Sequence, residues 1–357
     1  MLPTVGLRTH IWNNFIKSGL LLAGFPFLLL AVTFAVVLIF QDSGKGIGGD
    51  MAAALGTLPV AFPVALAISG VWFGIAWIGY QGMINAVTGA KPVTREQEPR
   101  LWNLLENLCI SRGLRMPTLA VIESPERNAF ASGLSRETGQ VTVTRGLMQA
   151  LTDQELEAVL AHELTHIRNG DARLGVIAAV FAGIISLVAE VVFRGMRGAR
   201  ISGGGNRGGR GAGAAVLIAL AILAVAWLLA VVLRFALSRN REFLADAGAV
   251  ELTANPDAMI SALRKVEGRS DIPAMPSQVQ AMLLDWPRGA NGFNLWATHP
   301  SIDARVQALV AVSGGRDPGR ILDPPPPPAP EPAPEGTNTG RPRRATSSPW
   351  WRGPAAG

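Results

Sequence analysis

His162-Glu163-Leu164-Thr165-His166 is the run from which the rest of the chain can be read. At 3.6 residues per turn, positions i and i+4 share one face of a helix, so both imidazoles can close on one metal ion. Glu163, beside the first of them, is placed to act as the base that activates water. Alone the pattern is only moderately specific, because two His and a Glu also occur on solvated helix faces. Its surroundings favour the metal. Thr152-Asp153-Gln154-Glu155 has the T-x-x-E form of a capping box. Leu156, Val159, Leu160 and Leu164 recur at helical spacing, and Asn169-Gly170-Asp171 is a stop signal. The stretch predicts one amphipathic helix of about five turns.

Composition sets that helix in a membrane protein. Of 357 residues, 49% are hydrophobic and only 16% charged, and the mean hydropathy is positive, a balance unlike that of a wholly soluble enzyme. Four apolar stretches account for it. Ser18 to Phe40 and Met51 to Ala90 carry no charge, and each can cross a bilayer about 30 Å thick. Leu174 to Phe193, with Glu190 near its end, and the uncharged Gly211 to Leu233 are the third and fourth. The first is longer than the apolar core of a cleaved signal and reads as a retained anchor.

Positive charge orients the first pair. Arg8 and Lys17 precede it and Lys91, Arg95 and Arg100 follow it, whereas the connection carries Lys45 against Asp42 and Asp50. Both flanks, and with them the HExxH segment, are expected in the cytoplasm. Cys109, the single cysteine, suits a reducing compartment. The second pair fits less well. Its loop holds Arg194, Arg197, Arg200, Arg207 and Arg210, so either the first pair dominates or the second enters without fully crossing. Glu190 can pair with Arg194 one turn later. No aromatic residue is interleaved in this Gly/Arg loop to stack on bases, so nucleic acid is not an expected partner.

Between the first pair and the motif, Thr94 and Gln97 form a second capping-box pattern. It predicts a helix with Leu101, Leu104, Leu105 and Leu108 on one stripe and Gly113 beyond its end. Leu119–Ile122 and Val141–Thr144 read as strands, with Asn128 to Gly133 between them. An edge strand beside the metal helix would hold a peptide in extended form.

A zinc hydrolase needs a third protein ligand. The chain has four His, and neither His10 nor His299 stands at helical ligand spacing from the motif. A carboxylate is therefore expected. The strongest candidate follows the fourth apolar stretch, where Glu242 and Asp246 are four apart on one helix face. Glu242 can bind the metal while Asp246 accepts from an imidazole N–H of a ligand His. Without the HExxH run, the same pair would be a solvated face partnered by Arg239 and Arg241.

HELTHIRNGD (162–171), SRNREFLADAGAVELTANP (238–256) and THPSIDARV (298–306) resemble, in this order, the M48 family of zinc metallopeptidases in its bacterial membrane heat-shock (HtpX-like) branch. ERNAFASG (126–133) resembles that group's NAF-x-x-G segment. The resemblance runs from about residue 10 to 312. It implies one zinc ion on His162, His166 and Glu242, with Glu163 as catalytic base. It also implies a membrane-bound endopeptidase of the bacterial cell (inner) membrane, acting in quality control of damaged or misfolded membrane proteins. His299 and Arg305 are further candidates for stabilising the oxyanion; the alternatives are a helix start at His299-Pro300 and a surface pair for Arg305.

The expected fold is a mainly α integral membrane protein, with about four transmembrane helices and a cytoplasmic α+β zincin domain of the gluzincin type. Residues 1–90 form a membrane hairpin (spans about 18–40 and 58–84) and 91–171 the HExxH segment. Residues 172–236 form a second hairpin (about 174–193 and 211–233), 237–315 bring the third ligand, and 316–357 are a Pro-rich disordered tail. The zinc site would then lie close to the membrane face, with polypeptides, above all membrane proteins, as substrates and the lipid bilayer as partner. Asp285 to Ala297 are a candidate substrate wall. A CAAX-type processing peptidase and an inactive membrane scaffold are the alternative functions. Fewer spans than the former has, and the intact His162, Glu163, His166 and Glu242 set, weigh against them.

Overall fold

Two long apolar helices come first, α1 (Leu7–Phe40) and α2 (Gly46–Thr88). The computed structural model describes residues 7–40, 45–179, 190, 194, 220, 240–272, 282–284 and 299–320. Residues 1–321 form one compact unit and 322–357 a second, which lies outside the described residues. Of the expected Pro-rich tail 316–357, only residues 316–320 are described, and there Asp317 accepts from Arg264 at 2.7 and 3.0 Å. Both helices run beyond the expected spans 18–40 and 58–84, and α1 begins early enough to carry His10 and Asn14. Pro26 in α1 and Pro59 and Pro63 in α2 sit inside the helices, a placement tolerated where the surroundings re-satisfy the freed backbone groups.

The side-chain distribution is the inverse of a soluble core helix. Small residues of α2, Ala54, Ala65, Ser69 and Ala76, are buried, which lets two helix backbones approach closely. Val71, Trp77 and Ile78 are 65%, 68% and 87% exposed. Both helices are long and apolar enough to cross a membrane. Of the third and fourth apolar stretches, residues 171–179 are helical (α6), and the expected pair forms, Arg194 donating to Glu190. Apart from Glu190 and Leu220, which are helical, the remainder of both stretches lies outside the described residues, as does Asp285 to Ala297.

The peptidase segment is built on a four-stranded sheet of β1 (Lys91–Pro92), β2 (Thr118–Ile122), β3 (Ala129–Ser132) and β4 (Gln140–Thr144), in the order β1-β2-β4-β3. β2 and β4, the two strands read from sequence, pair in parallel with Leu119 opposite Val141. β3 was not foreseen. It fills the Asn128 to Gly133 connection and runs antiparallel to β4. With only four residues, all buried, it has no inside–outside alternation to betray it. It is an edge strand, and its own chain already occupies part of that edge. Leu283 bridges to Phe130, and the Leu284 N–H donates to the Ala129 carbonyl at 2.8 Å.

Helix α3 (Pro99–Arg112) starts later than the capping-box pattern implies. Gln97 Oε1 does accept from the Thr94 N–H at 2.9 Å, but the pair closes a turn. The helix begins at Pro99, whose fixed φ and missing N–H suit a first position. Its end is as expected, at Gly113 with φ 62°. After α4 (Arg145–Ala150), helix α5 (Asp153–Asn169) carries HExxH. Its capping box is complete: the Thr152 hydroxyl accepts from the Glu155 N–H at 3.4 Å, and Glu155 Oε2 accepts from the Thr152 N–H at 2.7 Å. Gly170 ends it in the left-handed conformation at φ 76°.

Three helices complete the domain: α7 (Asn240–Thr253), α8 (Pro256–Val266) and α9 (Ile302–Ser313). Leu101 and Leu105 of α3, Val141 and Val143 of β4, Leu156 and Leu160 of α5, and Met259 and Leu263 of α8 meet in one core. Burying each such side chain stabilises by about 1.5–3 kcal/mol. Cys109 joins this core, and burial pushes its thiol up to about 11, leaving it unreactive. Gly248 lets α7 reach α5. A Cβ at that position would stand 2.5 Å from Thr165 Cγ2, so any larger residue would push Glu242's helix away from the His pair.

Candidate metal centre

Helix α5 presents His162, Glu163 and His166, and α7 brings Glu242, all four buried. The Nε2 atoms of His162 and His166 face each other at 3.1 Å. Glu242 Oε2 lies 3.6 Å from the first and 3.8 Å from the second. One donor atom from each of the three residues falls within 4.8 Å of the others. Tetrahedral bonds of about 2.0–2.1 Å put donors about 3.3 Å apart, and the three separations bracket that value. The two oxygens of Glu242 do different work. Oε1 accepts from Arg241 Nε at 3.0 Å, whereas the buried Oε2 meets no hydrogen-bond donor among the described residues. A buried carboxylate oxygen left without a donor is costly, and a cation between the imidazoles removes that cost. The donor set fits a metal ion.

The electrostatics point the same way. Burial pushes the Glu242 carboxyl up, but the neighbouring imidazoles outweigh it and hold it well below the usual carboxylate range. Burial alone would lower His166; the Asp171 and Glu242 carboxylates instead raise it to about 10. The pocket between these groups stabilises positive charge. Beside it a cavity of 20 Å³ is lined by Ala131 of β3, His166, Asp171, Arg241 and Glu242, room enough for a water.

Each imidazole is oriented through its Nδ1. His162 Nδ1 lies 3.0 Å from Asp246 Oδ1, the contact expected from the spacing of Glu242 and Asp246. Arg305 of α9 then grips Asp246 with both ends of its guanidinium, at 2.6 and 2.8 Å, and donates to the Leu284 carbonyl at 2.8 Å. His166 Nδ1 lies 3.1 Å from Asp171 Oδ2.

Peptidase family M48 matches residues 95–313 as a sequence profile. The chain belongs to that family. Among M48 relatives, a "Protease HtpX homolog" of Bacteroides fragilis is 38% identical over 316 residues, covering 85% of this chain and 98% of the relative. A second "Protease HtpX homolog", from Listeria monocytogenes serovar 1/2a, is 37% identical over 314 residues, covering 85% and 99%. Among solved structures, S. mikatae Ste24p aligns at 16% identity with a TM-score of 0.42, covering 84% of this chain and 66% of that one. The chain is thus an M48 metallopeptidase.

Within this M48 site, Glu163 is 1% exposed and its Oε2 has no hydrogen-bond partner. Burial is the main cause that pushes its carboxyl up, which makes the carboxylate a stronger proton acceptor. His299 stands with Nε2 at 3.7 Å from Glu242 Oε1. Burial pushes it down to about 3, so its imidazole is neutral. Arg305 is no surface residue: it is 1% exposed and committed to Asp246. Helix α9 itself starts at Ile302, where the Ser301 hydroxyl accepts from the Ala304 N–H at 3.2 Å.

Three site residues went unseen in the sequence. Asp171 was read as part of a stop signal, yet it faces His166. His10, set aside because of its distance in the chain, lies with Nε2 at 2.9 Å from Asp171 Oδ1, and Asn14 Nδ2 donates to the same oxygen at 2.6 Å. Burial pushes the Asp171 carboxyl up, but His10 and His166 outweigh it and hold it below the usual carboxylate range. Asp171 five residues past His166 is a usable signal; His10 and Asn14 become neighbours of the site only in space.

Proposed function

We propose that this chain is a membrane-bound zinc endopeptidase that hydrolyses peptide bonds of misfolded or damaged membrane proteins, at the cytoplasmic face of a bacterial inner membrane. The observation that carries the reading is the buried meeting of His162, His166 and Glu242 with the unpartnered Glu163 carboxylate oxygen. Membrane placement follows from α1 and α2, whose apolar side chains face outward. The first turns of α1 also touch the site through His10 and Asn14, so the active site belongs at the membrane surface, within reach of loops and termini of membrane proteins.

His162 and His166 would bind through Nε2 and Glu242 through Oε2, the atoms that face one another. Zinc in such a set supplies Lewis acidity, lowering the pKa of a water and polarising the scissile carbonyl. Glu163 takes the proton from the attacking water and delivers it to the leaving amine nitrogen. Its burial serves both steps, since the proton cannot escape to solvent. Neutral His299 is placed to donate a hydrogen bond to the developing oxyanion. Asp246, fixed by Arg305, and Asp171 keep the two ligand imidazoles in the right tautomer and orientation.

Glu163→Gln in the full chain should abolish cleavage of a misfolded membrane reporter, by at least about 10²-fold. Zinc content, measured by atomic absorption, should stay near one per chain. Unchanged cleavage with zinc retained would falsify the role given to Glu163.

A further inference from the structure

Between α1, α2 and α6 runs a groove of 670 Å³, walled by Leu22, Phe27, Leu66, Phe73 and Trp77. The two serine hydroxyls of its wall are already satisfied: Ser18 and Ser69 donate to their own helix carbonyls at 2.8 and 2.6 Å. Phe15 marks one end along α1 and Phe27 the other. Twelve residues at 1.5 Å each make this about 18 Å, close to the thickness of one leaflet of a bilayer of about 30 Å. At the Phe15 end the groove meets a second cavity of 420 Å³, which shares Phe15, Leu134 and Arg173 with it. Arg136 and Arg168 also line that cavity, and no acidic residue does among the described residues.

Arg173 stands at the seam. Its guanidinium carbon lies 5.3 Å from the centre of the Phe15 ring, and its buried Nε meets no acceptor among the described residues. Arg168 has one end on Glu251 at 3.1 Å, but its Nε is likewise buried without a partner. Arg136 donates to the Arg168 carbonyl at 2.7 and 3.2 Å, which brings a third positive charge to the same mouth. Trp12, 62% exposed and stacked near Phe15 at 6.2 Å, also lines the second cavity. An amphipathic ring of this kind settles at the headgroup level of a bilayer.

The geometry points to a binding site for an anionic phospholipid, with an acyl chain in the groove between α1 and α2 and the phosphate against Arg173, Arg136 and Arg168. The inference rests on the membrane placement of α1 and α2 argued above. An apolar helix of a substrate protein fits less well. It brings no anion to the arginines that line the adjoining cavity. Because Arg168 lies two residues beyond His166, a lipid held here would sit against the end of the HExxH helix.

The test uses the full chain, purified in detergent and stripped of lipid, titrated with dioleoyl phosphatidylglycerol or dioleoyl phosphatidylcholine and followed by native mass spectrometry. Phosphatidylglycerol should bind at least about fivefold tighter for each arginine engaged. Arg173→Gln should lose about fivefold of that preference and keep phosphatidylcholine binding. Gly19 and Gly70 line the groove, and a Cβ on either meets nothing within 4 Å. The double variant Gly19→Leu/Gly70→Leu should therefore fold, fill the groove and bind neither lipid. Equal affinity for the two lipids, or phosphatidylglycerol binding unaffected by the groove-filling pair, overturns the site. So does an apolar transmembrane peptide that competes for the groove when phosphatidylglycerol does not. Alkaline extraction of cell membranes separates the two readings. A chain released into the wash defeats the membrane placement itself, whereas a chain retained without lipid preference defeats only the lipid site.

Discussion

The two imidazoles of the HExxH helix are held by the same device and supported by different parts of the molecule. His162 and His166 each turn Nδ1 to a buried aspartate, at 3.0 and 3.1 Å. Behind Asp246 stands Arg305, a permanent cation from α9 that makes two bonds to it. Behind Asp171 stand an imidazole and a carboxamide, His10 and Asn14, one turn apart on α1. One half of the site is thus locked by the peptidase domain alone, and the other is completed by a membrane helix more than 150 residues away in sequence. The difference implies a rigid half, which fails with the fold, and a half whose completion depends on where α1 lies.

Breaking the rigid half should have the largest effect. Arg305→Met leaves the Asp246 charge buried without its cation, and loss of one partner of a buried pair costs about 3–5 kcal/mol. Thermal unfolding should show a large fall in Tm, with zinc lost in parallel. A variant that unfolds like the parent would make the two halves alike. Asp171→Asn is expected to act on the metal more than on the fold. The carboxamide still bonds but no longer carries charge, and changes at this distance cost about 10–100-fold in metal affinity. Competition with a chelator measures that loss, and little change in Tm should accompany it.

The smallest effect belongs to His10→Ala. Asn14 still donates to Asp171, so zinc affinity should fall by less than about tenfold, in line with the loss of one hydrogen bond. His10→Ala with Asn14→Ala should approach the loss of Asp171→Asn. If His10→Ala alone cost as much as Arg305→Met, the distinction between the two halves would be untenable.

Much of the site was legible before any coordinates. The helix from Thr152 to Gly170, its apolar stripe, the two His on one side and the carboxylate pair Glu242 and Asp246 all follow from period and capping, because those signals are local. β3 escaped because four buried residues give no alternation. The Thr94–Gln97 pattern misplaced the start of α3 because a capping bond also closes a simple turn. His10 stands outside the ligand set, as its spacing implies, but its bond to Asp171 has no mark in the sequence because only the fold brings α1 to that side chain. Arg305 had no marker separating it from a surface pair; only its burial and its grip on Asp246 reveal its place.

The sequence by itself determined the chemistry. Helical periodicity puts i and i+4 side chains together whatever the rest of the chain does, and long uncharged runs are too apolar for water. Tertiary structure decided the assembly. Gly248 lets α7 close on α5 and carry Glu242 to the imidazoles, β3 lies along the same helix, and α1 reaches Asp171. Those contacts join residues far apart in the chain, and no local propensity encodes them. They exist because burying the shared core fixes every helix against its neighbours at once.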